Sequence, residues 1–183
     1  MAMTCTYWFQ DFSPAEASAM SGVNVETIRT WRKRKALKSN GGVRARFSAN
    51  DVAALIIRRE LMAAGISTTD SQLHAEAFSA TVVFVAVYEG GSCDWRGTPA
   101  QATELKEAFD TLVFMSEVSG FDGSQPELIL ISFNGEDFEP VRFFRTDTDL
   151  SGVRRATFLN LEELGGHLAR SAPRPILVVA PGD

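Results

Sequence analysis

In the first third of the chain, apolar residues recur at spacings of three and four, and capping residues mark where each run begins. Ser13-Pro14-Ala15-Glu16 carries a helix start. Ser stands at the N-cap, Pro at the first helical position, and Glu where its carboxylate reaches back to the N-cap amide. The spacing predicts a helix over Pro14–Met20, with Ala17 and Met20 on one face and Gly22 as its stop. Val23 plugs the turn and Asn24 caps a second helix, in which Val25, Ile28 and Trp31 or Arg32 share a face. A helix, a short turn with Gly and a second helix form the helix-turn-helix pattern. Lys38-Ser39-Asn40-Gly41-Gly42 reads as a hairpin loop leading into Val43–Phe47. Ser48, with Asp51 three residues on, opens a third helix that runs to about Ala64 and stops at Gly65. Val52, Leu55, Ile56 and Leu61 form its apolar stripe, with Arg58, Arg59 and Glu60 mostly on the wet side. Tyr7, Trp8, Phe9 and Phe12 are expected to pack onto this small unit.

Past Ile66 the pattern changes. Thr69 or Asp70 caps a short helix to about Phe78, and the apolar run in Thr81–Tyr88 predicts a strand followed by the Gly-rich loop Glu89–Ser92. An amphipathic helix is expected from Pro99 to about Val118, with Leu105, Phe109 and Leu112 along one side. Glu127–Phe133 and Phe138–Arg145 read as a hairpin around Asn134-Gly135. A helix from Thr157 or Asn160 to about Arg170 and a strand over Pro175–Ala180 complete the chain. This β-α-β-β-α-β order is that of the ferredoxin-like fold. The expected class is therefore α+β: a winged helix-turn-helix in residues 1–78, then a small α/β domain in residues 79–183.

Charge sharpens this division. The net charge of −5 argues alone against nucleic acid, but residues 1–66 carry ten Lys and Arg against five Asp and Glu, while the rest is strongly acidic. Cys5 and Cys93 make no disulfide framework, and no apolar run is long enough to span a bilayer. A cytoplasmic protein without membrane association is expected.

The run Phe12-Ser-Pro-Ala-Glu-Ala-Ser-Ala-Met-Ser-Gly-Val-Asn-Val-Glu-Thr-Ile-Arg-Thr-Trp31 resembles the opening of the MerR family, and Thr27-Ile28-Arg29-Thr30-Trp31 fits that family's recognition-helix run. Arg44-Ala45-Arg46-Phe47-Ser48-Ala49-Asn50-Asp51-Val52 is similar to its wing and following helix, and Ala63-Ala64-Gly65-Ile66 to that helix's end. Ala45 departs from the adjacent arginines common in such wings. The resemblance implies binding of double-stranded DNA, with Trp31 packed near the backbone. Residue chemistry points the same way. Thr27, Arg29 and Thr30 flank buried positions on a narrow polar helix face, and Arg29 is the best candidate for a base edge or nearby phosphate. Arg32, Lys33, Arg34, Lys35 and Lys38 suit phosphates, and Arg44 and Arg46 suit a wing gripping backbone or minor groove. Each has a plainer reading: Arg32–Lys35 as a solvated face, Trp31 as core, and Arg44 and Arg46 as guards of an exposed strand edge.

The MerR-like activators continue into a long dimerising helix, whereas here only a short helix is expected before Thr81, which leaves the family's dimer mode open. A single head covers few base pairs, so a homodimer or cooperative oligomer is expected. The acidic half would mediate self-association or contact a protein partner, ahead of sensing an effector. No catalytic set emerges, and neither an enzyme nor a cofactor is expected. His74 and His167 lack ligands at metal spacing, and Cys93 beside Asp94 reads as an ordinary loop cysteine before a reactive thiol. The sequence therefore points to a sequence-specific transcriptional regulator; the alternative is a phage-type architectural factor, excisionase-like or a packaging protein.

Overall fold

The computed structural model describes residues 5–34, 46–88, 90–109, 127–132, 139–141 and 153–182. Strand β1 (Cys5–Phe9) precedes helices α1 (Pro14–Ser21), α2 (Val25–Lys33), α3 (Ala49–Ala63) and α4 (Thr68–Tyr88). Then come β2 (Cys93–Trp95), α5 (Pro99–Phe109), β3 (Glu127–Ser132), β4 (Glu139–Val141), β5 (Arg155–Asn160), α6 (Leu161–Ser171) and β6 (Leu177–Pro181).

The expected starts of the first three helices are met atom by atom. Ser13 and Glu16 form a reciprocal capping box at α1, Asn24 accepts from the Glu26 amide at 2.8 Å, and Ser48 with Asp51 repeats the box at α3. Gly22 closes α1 at φ 70°, a left-handed conformation that glycine adopts without strain, and the turn into α2 follows. Ala17, Met20, Val23, Ile28, Val52, Leu55, Ile56 and Leu61 meet in the core between these helices.

The largest departure from expectation is α4. Thr81–Tyr88 is not a strand but the second half of one 21-residue helix that begins at Thr68 and runs through the expected boundary at residues 78 and 79. Every residue from Thr81 to Val87 is buried. An apolar run of this length fits a buried helix as well as a buried strand, and a helix that is apolar all round belongs in a core. Packing against α3 on one side and α6 on the other overrides the strand preference of its β-branched residues. Phe84 and Tyr88 stack with centroids 5.5 Å apart, at the four-residue spacing that adjoins on a helix.

The single βαββαβ sheet is accordingly not formed. The described strands divide into two three-stranded sheets, β1-β6-β2 and β4-β3-β5. In the first, β6 lies at the centre, antiparallel to β1 (Tyr7 opposite Val179) and parallel to β2 (Trp95 opposite Val179). Residues 5–9 and 93–95 are too short and irregular in pattern to announce themselves as strands, so β6 draws neighbours that the sequence did not offer. The N-terminal aromatics divide as a result: Phe12 is fully buried, while Tyr7 and Trp8 sit on the edge strand, 46% and 41% exposed. The second sheet keeps the expected hairpin, with Ile129 opposite Val141, and adds β5 antiparallel to β3. Asn160 caps α6 as expected, accepting from the Glu163 amide at 3.0 Å. The part of the long helix expected beyond Phe109 lies outside the described residues.

Helix α6 approaches α4 closely at Gly165, where a β-carbon would stand 2.5 Å from Val85 Cγ1 and 3.0 Å from the Val82 carbonyl oxygen. Gly165→Ala should therefore lower stability by about 1–3 kcal/mol through overpacking, although alanine is the better helix former by about 1 kcal/mol. Thermal or urea denaturation of the two proteins measures the difference, and a variant as stable as the parent would contradict this contact.

Candidate nucleic-acid interface

Helix α2 presents two unlike faces. Ile28 and Trp31 are buried, 1% and 9% exposed, and anchor it to the core. Glu26, Thr27, Arg29, Thr30, Lys33 and Arg34 are exposed. The exposed side chains are partly engaged along the helix. Arg29 pairs with Glu26, and the Thr30 hydroxyl donates to the Glu26 carbonyl at 2.9 Å. The Arg29 side chain is 64% exposed, so this ion pair contributes little, about 0–1 kcal/mol. A bidentate contact to guanine would contribute about 1–3 kcal/mol of discrimination, enough to draw Arg29 away.

The structure divides the expected site residues into groups. Thr27, Arg29, Thr30, Lys33 and Arg34 share the exposed surface of α2 and its end. Trp31 points inward instead, with the Arg58 guanidinium 3.9 Å from its ring centroid. Arg32 is half-buried and reaches Arg46 and Phe47. Arg46 is exposed, beside the Phe12–Phe47 bridge. Lys35, Lys38, Arg44 and the rest of the expected wing before Arg46 lie outside the described residues.

Several basic side chains that hold this surface in place were not apparent in the sequence. Arg58, expected on the wet side of α3, is 1% exposed. It lies on Trp31 and donates to the Thr68 carbonyl at 3.5 Å, joining α2 and α3 to the start of α4. Burial lowers its pKa, and the charge of Glu76 acts in the opposite direction. Arg59 donates to the Ser21 carbonyl at 2.5 Å, just before the Gly22 turn. Arg155 donates to the Ala64 carbonyl at 2.8 Å, and His167 Nε2 to the Met20 carbonyl at 2.9 Å. Arg174 donates to Glu16 at 2.6 Å and to the Asp11 carbonyl at 2.6 Å. The only sequence signal for any of these was position: Arg58 follows directly on an apolar triplet, Leu55-Ile56-Ile57.

The remaining candidate chemistry is plain. Cys93 belongs to β2 rather than a loop, and burial, with the Asp94 charge, pushes its thiol up to about 12, which disfavours the thiolate. Among the described residues no group of three His, Cys, Asp or Glu stands where it could hold a metal ion. Nor is any described helix long and apolar enough to cross a membrane. An open cleft between Val85, Gly90 and the α6 residues Glu163, Gly166 and Arg170 is bridged by the Arg170–Glu163 ion pair at 2.7 Å.

Two helices joined by a left-handed glycine turn, the second exposing a polar and basic face, form a helix-turn-helix head of the kind that docks on DNA. Residues 12–76 match the family model described as MerR HTH family regulatory protein, so this head is a MerR-type helix-turn-helix. The match spans about a third of the chain. No curated protein matches the chain.

Glu16 stabilises both the head and its junction with the C-terminal segment. Its hydrogen bond from Arg174, followed by those from Ser13, holds its carboxyl at about 2, against an ordinary 4.5. Because the folded state favours the charged form, this stabilisation is fully present above pH 4.5 and fades as pH falls toward 2. Glu16→Gln should cost about 1 kcal/mol at pH 7. Urea melts between pH 7 and pH 3 should show the two proteins converging as acid is added; a gap that stayed constant would contradict the assignment.

Proposed function

We propose that this protein is a sequence-specific DNA-binding transcriptional regulator. The observation that carries the reading is the exposed polar face of α2, which stands opposite buried Ile28 and Trp31 in a head matching the MerR HTH family model. Thr27, Arg29 and Thr30 approach base edges in the major groove. Lys33, Arg34, Lys35 and Lys38 neutralise phosphates, and Arg44 and Arg46 suit a wing that grips the backbone or minor groove.

Residues 79–183 are acidic and unsuited to the same polyanion, so their role is self-association or contact with a protein partner. Self-association as a dimer or cooperative oligomer supplies the specificity that one small head lacks. The protein acts in the cytoplasm and catalyses no reaction of its own.

Selection of duplexes from a random library by the full chain, followed by titration of Arg29→Ala on the selected duplex, tests this. The variant should fold normally and lose about 1–3 kcal/mol of affinity for that duplex, with preference relaxed at one or two base pairs. Equal affinity of variant and parent would contradict the assignment of α2 as the reading helix.

A further inference from the structure

Arg32 has the composition of a phosphate ligand but not the surroundings of one. Its guanidinium lies 4.0 Å from the centroid of the Phe47 ring, and its Nη2 donates to the Arg46 carbonyl at 2.9 Å. Its Nε is sealed from solvent. Phe47 is 1% exposed and is tied to Phe12 by reciprocal backbone hydrogen bonds of 2.8 and 2.9 Å. Arg32 stands in the last turn of α2, one residue before exposed Lys33. It therefore spans from the end of the recognition helix to the point where the chain returns into the core at Arg46 and Phe47. The neighbouring basic side chains make no such commitment: Lys33 and Arg34 are exposed.

The geometry points to Arg32 as a positioning residue for DNA recognition, one that fixes Arg46–Phe47 against the end of α2. This inference rests on the DNA-binding reading above and changes one of its parts. Arg32 contributes register between the base-reading helix and the basic Arg46 side chain, and takes no phosphate of its own. The role demands a guanidinium, because only a planar cation can lie flat on a ring while donating in its own plane to a carbonyl. Lysine keeps the charge and loses that geometry.

The test compares full-length parent, Arg32→Lys and Arg32→Met on the duplex selected by the parent, across a series of salt concentrations. Hydrogen exchange at the Phe12 and Phe47 amides is measured in the free proteins. As a positioning residue, Arg32 predicts that both variants lose about tenfold in affinity and lose it alike, because neither can stack and donate together. Both amides should also exchange faster in both variants. A phosphate ligand gives another pattern: Arg32→Lys binds like the parent, and Arg32→Met alone flattens the slope of log affinity against log salt by about 0.9. That pattern, or parental amide exchange in Arg32→Lys, overturns the proposal. The exchange measurement needs no DNA. Failure of the parent to bind any duplex would defeat the DNA-binding reading, and is distinguishable from failure of the Arg32 assignment.

Discussion

Burial of α4 from both sides is the constraint on which the rest of the structure depends. Its first half closes the helix-turn-helix head against α3, and its second half, Thr81–Val87, fills the space between α3 and α6. Each large apolar side chain contributes about 1.5–3 kcal/mol when fully buried, and those facing a given neighbour would be uncovered if it were removed. The head and the C-terminal segment consequently share one apolar cluster, running from Phe12 and Met20 to Leu168 and Val179. Strand β1 closes the arrangement by pairing with β6, which brings the two ends of the described chain into one sheet.

On this common core, arginines connect elements far apart in sequence. Arg58 joins α2 to α4, Arg59 secures the turn at Ser21, and Arg155 and Arg174 reach the head from the C-terminal part. Each satisfies a carbonyl at a helix end or turn, or lies on an aromatic ring. Hydrogen bonds to charged groups are roughly twice as strong as those between neutral ones, and they are screened least where the partners are withdrawn from solvent, as at Arg58. Helix α2 is therefore anchored by its buried side, with Thr27, Arg29 and Thr30 facing outward.

What the sequence disclosed depended on whether the deciding interaction was local. Ser13, Asn24 and Ser48 announced their helices because capping is settled within three residues. The turn at Gly22 and the exposed face of α2 were legible for the same reason. Thr81–Tyr88 was misread because its state is decided by α3 and α6, which lie far off in sequence. The partners of β6 come from opposite ends of the chain, and no local pattern can reveal that. In the site, Arg29 was placed correctly on the surface, whereas Trp31, Arg32 and Arg58 were not separable by composition. All three are large residues of ambiguous preference, and only the positions of Phe47 and Trp31 in space decide which cations are spent inside.

The central claim is that the helix-turn-helix head and the C-terminal segment are one cooperative body joined by α4. Native-state hydrogen exchange across a urea series measures this directly, by following amides of α1 and α2 alongside those of α6 and β6. The account predicts that the most protected amides in both regions open together, with one common free energy and one urea dependence. A head whose amides remain protected after those of α6 and β6 have exchanged would contradict it.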